Sequence, residues 1–198
     1  GYGPVSLIGT TEMSRRFDVV INGGGMVGAA LALALSQGNK RVAVIEARES
    51  PDFSPEQDIG LRVSALSLAS EALLDNLGVW SQLLKWRTSA YRHMQVWDAT
   101  GGGVIRFDAE DVGVEWLGHI VENDLIQAAL TQACEQQDTI RWFRPDGVAT
   151  ISVDTDEIIL TLESGEILLA SLLVGADGAM SRVRELAQID VTRHDYAQ

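Results

Sequence analysis

Phe17-Asp18-Val19-Val20-Ile21-Asn22-Gly23-Gly24-Gly25-Met26-Val27-Gly28 is the stretch on which the fold turns. A short apolar run that ends in glycines suits a buried parallel strand. From Met26 to Leu35 the chain is nearly all Ala, Leu, Val and Gly, which reads as a buried helix stopped by Gly38. Arg41 to Ile45 forms a second apolar run and closes on Glu46. Strand, helix and strand within about thirty residues make a β-α-β unit, the building block of a parallel sheet.

Gly23, Gly25 and Gly28 occupy the three glycine positions of G-x-G-x-x-G. The pattern alone is weak in a chain with 19 glycines; its context gives it weight, with a strand before it, a helix after it and an acid at the end of the next strand. Gly23 permits the tight turn, Gly25 lets the backbone approach a pyrophosphate, and Gly28 lets the helix pack closely on the sheet. A pyrophosphate would lie at the helix N-terminus near Met26 and Val27, where unpaired N–H groups and the helix dipole favour negative charge. Glu46, followed by Ala47, stands where a carboxylate accepts hydrogen bonds from ribose hydroxyls, and it would repel a 2′-phosphate. FAD and NAD both satisfy this reading. The bland alternative is a glycine turn and strand-end acid in an α/β domain that holds no dinucleotide. Asn22 is out of character, because a strand end before such a turn is usually apolar or small.

Working outward, Ser64 to Leu77 reads as a helix with a stripe of Leu66, Leu73, Leu74 and Leu77, stopped by Gly78. His93–Asp98 and Val104–Phe107 read as strands joined through Thr100-Gly101-Gly102-Gly103. Asn123 is a candidate N-cap for a helix reaching about Glu135. Several β-like runs follow between Ile140 and Leu169, with Ser164-Gly165 as a tight turn. Leu172-Leu173-Val174 reads as a last buried strand. The expected class is α/β: a Rossmann-like β-α-β domain with a mostly parallel sheet, plus the first strands of a β-sheet substrate domain at about 91–118. Residues 1–13 read as a leader or extension ahead of 14–198.

Composition narrows the function. Hydrophobic residues make up 46% of the 198, enough for a core, and the formal net charge is -13. That charge disfavours nucleic acid and other polyanions as partners. A single cysteine, Cys134, excludes an internal disulfide and reads as a small buried hydrophobe on a helix. His93, His119 and His194 are far apart, and no Ser-His-Asp, Cys-His or metal-ligand spacing is present, so no catalytic acid, base, nucleophile or metal ligand is assigned. His119 reads as structural.

Three further segments, together with the GGGMVG turn, carry a resemblance: Leu61-Arg62-Val63-Ser64-Ala65-Leu66, Gly118-His119-Ile120-Val121-Glu122-Asn123, and Gly175-Ala176-Asp177-Gly178-Ala179-Met180-Ser181-Arg182-Val183-Arg184. The last fits G-A-D-G-x-x-S-x-V-R. In combination they resemble the single-component flavin monooxygenases of the para-hydroxybenzoate hydroxylase class, and within it the ubiquinone-biosynthesis hydroxylases that act on polyprenyl phenol rings. LGVW, YRHMQVWD and the terminal DYAQ add to the likeness, which runs from about Phe17 to Gln198. The resemblance implies FAD as cofactor, NADPH or NADH as reductant, molecular oxygen and a prenylated aromatic substrate, and it explains the missing catalytic side chains, since the cofactor carries the chemistry. It places Arg62 at the flavin side of FAD and Asn123 near its ribityl or ribose region. Asp177 and Gly178 fall in a motif that serves both FAD and the nicotinamide, with Ser181 and Arg184 fixing that loop. Arg62 as a solvated loop cation, Asn123 as only an N-cap and Arg184 as an ion-pair partner are the plain alternatives.

The class also has a downstream Gly-Asp motif, and no Gly-Asp dipeptide occurs in these 198 residues. The sequence therefore resembles the N-terminal half of a longer protein, expected to be inactive alone and to hold flavin weakly or not at all. Another FAD enzyme, such as a halogenase or polyprenyl reductase, and a non-catalytic nucleotide-binding fragment are the rival readings. A cytoplasmic location, peripheral to the inner membrane or within a ubiquinone-biosynthesis complex, is the expected setting.

Overall fold

The computed structural model describes residues 15–49, 54, 56–98 and 101–192. The expected leader at 1–13, Thr100, His194 and the terminal DYAQ lie outside the described residues. In chain order the elements are β1 (Arg16–Asn22), α1 (Met26–Gln37), β2 (Val42–Ile45), β3 (Val63–Ser67), α2 (Leu68–Asn76), α3 (Trp80–Trp86), β4 (Ser89–Tyr91), β5 (His93–Trp97) and β6 (Val104–Asp108). After a 3-10 turn at Glu110–Val112 come β7 (Gly118–Glu122), α4 (Asn123–Glu135), β8 (Ile140–Phe143), β9 (Val148–Asp154), β10 (Glu157–Leu162), β11 (Ile167–Gly175) and α5 (Arg182–Leu186). They divide into two compact units, one of residues 1–51 and 134–198, the other of residues 52–133.

The first unit is a six-stranded sheet in the order β8-β2-β1-β11-β10-β9. β8, β2, β1 and β11 run parallel, and β10 and β9 add an antiparallel meander. The expected β-α-β unit is β1-α1-β2. All four residues of β2 are buried, as a parallel strand covered on both faces requires. Phe17, Val20, Ala43, Ile45, Phe143 and Leu160 belong to one core cluster. α1 buries Leu33 together with Gly28, Ala29, Ala32 and Ser36, the last four being small residues that let it approach closely. The helix ends at Gly38 as expected, yet Gly38 has φ -87 and the left-handed residue is Asn39, φ 56. Asparagine is the non-glycine residue that best tolerates this conformation. Cys134 is wholly buried, its Sγ donating to the carbonyl of Ala29 at 3.3 Å, and burial pushes its thiol up to about 12.

Two expectations are corrected in this unit and the next. β11 is longer than Leu172–Val174, and Leu172 is 52% exposed: β10 pairs only with residues 167–170, so the last part of β11 has a strand on one side only. In the second unit the helix expected from Ser64 begins at Leu68, capped by Ser67, whose side chain accepts from the Ser70 N–H. Val63–Ser67 instead pairs antiparallel with β7, and cross-strand pairing outweighs the local pattern there. Leu74 and Leu77 are buried, whereas Leu73 faces solvent.

The second unit has a three-stranded sheet, β3-β7-β4, and the two-stranded hairpin β5-β6. The hairpin matches the expected strands; the Asp98 N–H reaches the Gly103 carbonyl at 3.1 Å. Its cross-strand pairs Met94–Phe107 and Val96–Ile105 make one apolar face, exposed among the described residues. His119 is buried, its Nδ1 2.7 Å from Glu71 Oε1, with the rings of Trp80 and Trp116 edge-on at 5.3 and 5.4 Å.

Candidate functional site

In the first unit, the carboxyl ends of β1 and β2 and the loop after β11 enclose a cavity of about 550 Å³ lined by Gly23, Gly25, Glu46, Ala47, Asp177 and Met180 among others. Open α/β sheets bind ligands at this end of their parallel strands. The glycines earn their places differently. Gly23 has φ +109, and a Cβ there would sit 2.3 Å from the Ala176 carbonyl oxygen. A Cβ at Gly28 would strike the Gly23 carbonyl at 1.9 Å. Both positions are closed by the protein itself. Gly25 is the contrary case, since a Cβ there would meet nothing within 4 Å. The open space at Gly25 lies where α1 begins, and the first intrahelical bond runs from the Ala29 N–H to the Gly25 carbonyl at 2.9 Å. The N–H groups of Met26, Val27 and Gly28 precede that bond and point out of the helix end.

Glu46 is fixed by its own backbone neighbours. Oε2 accepts from the Gly24 N–H at 2.7 Å and Oε1 from the Arg48 N–H at 3.0 Å. Each oxygen keeps a further lone pair for a hydroxyl donor in the cavity.

Asp177 gathers the opposite wall. Oδ1 accepts from Ser181 Oγ at 2.6 Å; Oδ2 accepts from Asn22 Nδ2 at 2.7 Å, the Arg182 N–H at 2.7 Å and the Val183 N–H at 3.3 Å. The out-of-character Asn22 thus ties the end of β1 to the loop after β11, reinforced by the Ala176 N–H on the Asn22 carbonyl at 2.7 Å. Burial pushes the Asp177 carboxyl up, but the bonds from Ser181, Val183 and Arg182 outweigh it and hold it below the ordinary carboxylate range. Gly178 follows with φ +77, turning the chain into α5. Ser181 caps α5 by accepting from the Arg184 N–H, and Arg184 Nη2 donates to the Ala179 carbonyl at 2.7 Å. Arg184 does hold the loop, but through a carbonyl where a carboxylate was the expected partner.

Arg62 and Asn123 lie in the second unit, where the structure brings them together. The Asn123 N–H donates to the Arg62 carbonyl at 3.0 Å, and Asn123 Oδ1 accepts from Ser64 Oγ at 2.6 Å. The segment before Arg62 is pinned by Glu122, a residue the sequence reading passed over. Glu122 is 6% exposed; Oε2 accepts from the Gly60 N–H at 2.7 Å and from Arg87 Nη2 at 3.2 Å, while Arg87 Nε lies 2.9 Å from Oε1. Arg87 Nη1 also donates to the Gln57 carbonyl at 2.8 Å. Nothing in the spacing of Gln57, Arg87 and Glu122 announces this triangle, which only the fold creates. No group of three His, Cys, Asp or Glu that could hold a metal ion occurs among the described residues.

A sequence family described as an FAD binding domain matches residues 16–197. The chain belongs to the FAD binding domain family. Among curated proteins it is 40% identical over 181 residues to 3-demethoxyubiquinol 3-hydroxylase of Escherichia coli (strain K12), covering 91% of this chain and 46% of that protein. It is 34% identical over 197 residues to the mitochondrial ubiquinone biosynthesis monooxygenase COQ6 of Rattus norvegicus, covering 92% and 41%. The chain therefore spans less than half the length of these relatives. Solved structures with the same fold include the OxyS anhydrotetracycline hydroxylase from Streptomyces rimosus (TM-score 0.74, 23% identity, 91% of this chain and 35% of that one). The p-nitrophenol 4-monooxygenase PnpA from Pseudomonas putida DLL-E4 is another (TM-score 0.70, 22% identity, 87% and 44%).

FAD is accordingly the dinucleotide of this FAD binding domain, and the residues present fit its ADP portion. Gly25 leaves the backbone open beside a helix N-terminus, and the Glu46 carboxylate faces the same cavity with acceptor capacity to spare. The expectation of a mostly parallel α/β fold of the flavin monooxygenase type holds.

Proposed function

We propose that the protein is an FAD-dependent monooxygenase that hydroxylates the ring of a prenylated phenol or benzoquinol in ubiquinone biosynthesis, with NADPH or NADH as reductant and molecular oxygen as co-substrate. The observation that carries this reading is the 40% identity to 3-demethoxyubiquinol 3-hydroxylase across 91% of the chain. The glycine turn and Glu46 form the part that grips the ADP end of FAD. Bound FAD would supply the redox and oxygen chemistry, which explains why the described residues need no catalytic acid or base. Within this reading Gly23, Gly25 and Gly28 shape the turn, and the Met26 and Val27 N–H groups face the pyrophosphate. Glu46 accepts from ribose hydroxyls, and Ala47 walls the same side of the cavity. Arg62 and Asn123 serve the flavin and ribityl side. Asp177 and Gly178 act by shaping the loop after β11, because the Asp177 carboxylate already accepts four protein donors.

Residues 91–118, with the apolar face of the β5-β6 hairpin, supply the first strands of the substrate-domain sheet in this reading. In this reading a long isoprenoid tail on the substrate favours work at a membrane surface; the proposed setting is cytoplasmic, at the inner membrane, alone or with other ubiquinone-biosynthesis proteins. The test is the protein encoded by the full reading frame, purified and assayed for its flavin spectrum and for NAD(P)H oxidation with prenyl phenols. Mass spectrometry should find one oxygen atom added to the ring. Reduction of a prenyl chain without oxygen uptake, or halogenation, would replace the reading by one of its FAD-dependent rivals. The 198-residue chain assayed alone should show no hydroxylation.

A further inference from the structure

Gly24 stands between the two fingerprint glycines that shape the turn, at a position the G-x-G-x-x-G pattern leaves free. In this fold it is not free. A Cβ at Gly24 would lie 2.5 Å from Cζ3 and 3.1 Å from Cη2 of Trp142, and 3.1 Å from the Cβ of Glu46. Trp142 comes from β8, in register with Val44 of β2, one strand away from the turn. The ring cannot swing off easily: the Arg144 guanidinium lies over it, 4.5 Å from its centroid, and Arg144 is itself ion-paired with Glu135. The Gly24 N–H is the group that holds Glu46 Oε2. Trp142 Nε1, meanwhile, is buried without a hydrogen-bond partner. A buried unsatisfied donor costs free energy that a phenyl ring would not. The indole is thus a poor choice for the core alone and a good one for filling the space against Gly24.

We propose that Trp142 is a positioning residue for the dinucleotide turn: its ring forms the floor under Gly24, restricts that position to glycine, and through the Gly24 N–H sets the Glu46 carboxylate toward the cavity. Trp142 acts without lining the cavity. The proposal rests on the reading of this cavity as the ADP end of an FAD site.

The test is a mutant cycle on the purified chain with Gly24→Ala, Trp142→Phe and both together, read by thermal unfolding without ligand and by calorimetric titration with FAD and with ADP. A phenyl ring is shorter than an indole and has no atoms where Cζ3 and Cη2 sit. Gly24→Ala should lower Tm by roughly 5 °C through overpacking, and adding Trp142→Phe should restore more than half of that loss. Trp142→Phe alone should leave Tm within about 2 °C, since it removes the orphaned donor, yet weaken ADP binding by about fivefold as the turn loses its floor. That split between affinity and stability is what a merely structural tryptophan would not produce. Additive Tm effects, or a Trp142→Phe chain that binds as tightly as the parent, overturn the proposal. A parent chain that does not bind ADP overturns the cavity reading instead, whatever its hold on FAD, and the Tm cycle then decides whether Trp142 governs position 24.

Discussion

The Asp177 carboxylate accepts from four donors, two of them the side chains of Asn22 and Ser181, and it does so at the rim of the cavity. Replacing it by asparagine leaves one acceptor oxygen and turns an NH₂ group toward donors. Asp177→Asn should therefore cost about 2 kcal/mol, or roughly 6 °C in Tm. The pH dependence has a definite sign. A carboxyl held below its ordinary 3.8 when folded contributes stability that is fully present above that value. The contribution is lost as pH falls through the lower folded value. The stability gap between the parent chain and Asp177→Asn, measured by urea unfolding, should be flat from pH 7 to about 5 and shrink as pH drops below about 4. A gap that stays constant down to pH 3 would show that the carboxylate is not engaged as described. At this scale the sequence was legible where a residue type is forced by sterics, as at Gly23 and Gly28. Asn22 was visible only as an anomaly, because its partner is 155 residues away.

Among the elements, the segment leading into β3 depends on Glu122 and Arg87. Glu122 is nearly inaccessible and Arg87 about a third exposed, so removing the cation leaves a carboxylate poorly compensated. Arg87→Met keeps the apolar stem and should cost about 2 kcal/mol, below the full cost of breaking a deeply buried pair because Arg87 retains solvent contact. The Gln57 carbonyl loses its tether at the same time, and Glu122, which holds the Gly60 N–H, loses its counter-ion, so backbone amides at 56–62 should exchange faster with solvent than in the parent chain. Unchanged exchange there, with only a global loss of stability, would mean that the pair does not hold the Arg62 segment. Strand β3 also marks the limit of local reading. Val63-Ser64-Ala65-Leu66-Ser67 suits a helix as well as a strand by residue type, and only its pairing with β7, more than fifty residues on, decides. β1, α1 and β2 were readable because apolar runs, the glycine turn and Gly38 all point the same way within one short stretch.

On the scale of the whole chain, the net charge of -13 meets an anionic ligand. The cavity does not reverse that field: its walls carry Glu46, Asp146, Glu163 and Asp177 against only Arg48 and Arg182. Arg182 is further engaged with Glu185 at 2.9 Å. In the proposed reading the attraction for a pyrophosphate comes from short-range sources, the helix N–H groups at Met26 to Gly28 and the α1 dipole. Short-range hydrogen bonds at contact distance are screened little by salt, while the long-range repulsion between a negative chain and a negative ligand is screened strongly. Raising ionic strength from about 10 to 150 mM shortens the screening length from roughly 30 to 8 Å. The association rate of ADP with the purified chain, followed by stopped flow, should then rise by about threefold, with the dissociation rate nearly unchanged. A site built on cationic side chains would behave in the opposite way, losing association rate as salt is added. A steep fall with salt would thus mean that the arginines near the cavity, not the backbone of the glycine turn, supply the grip.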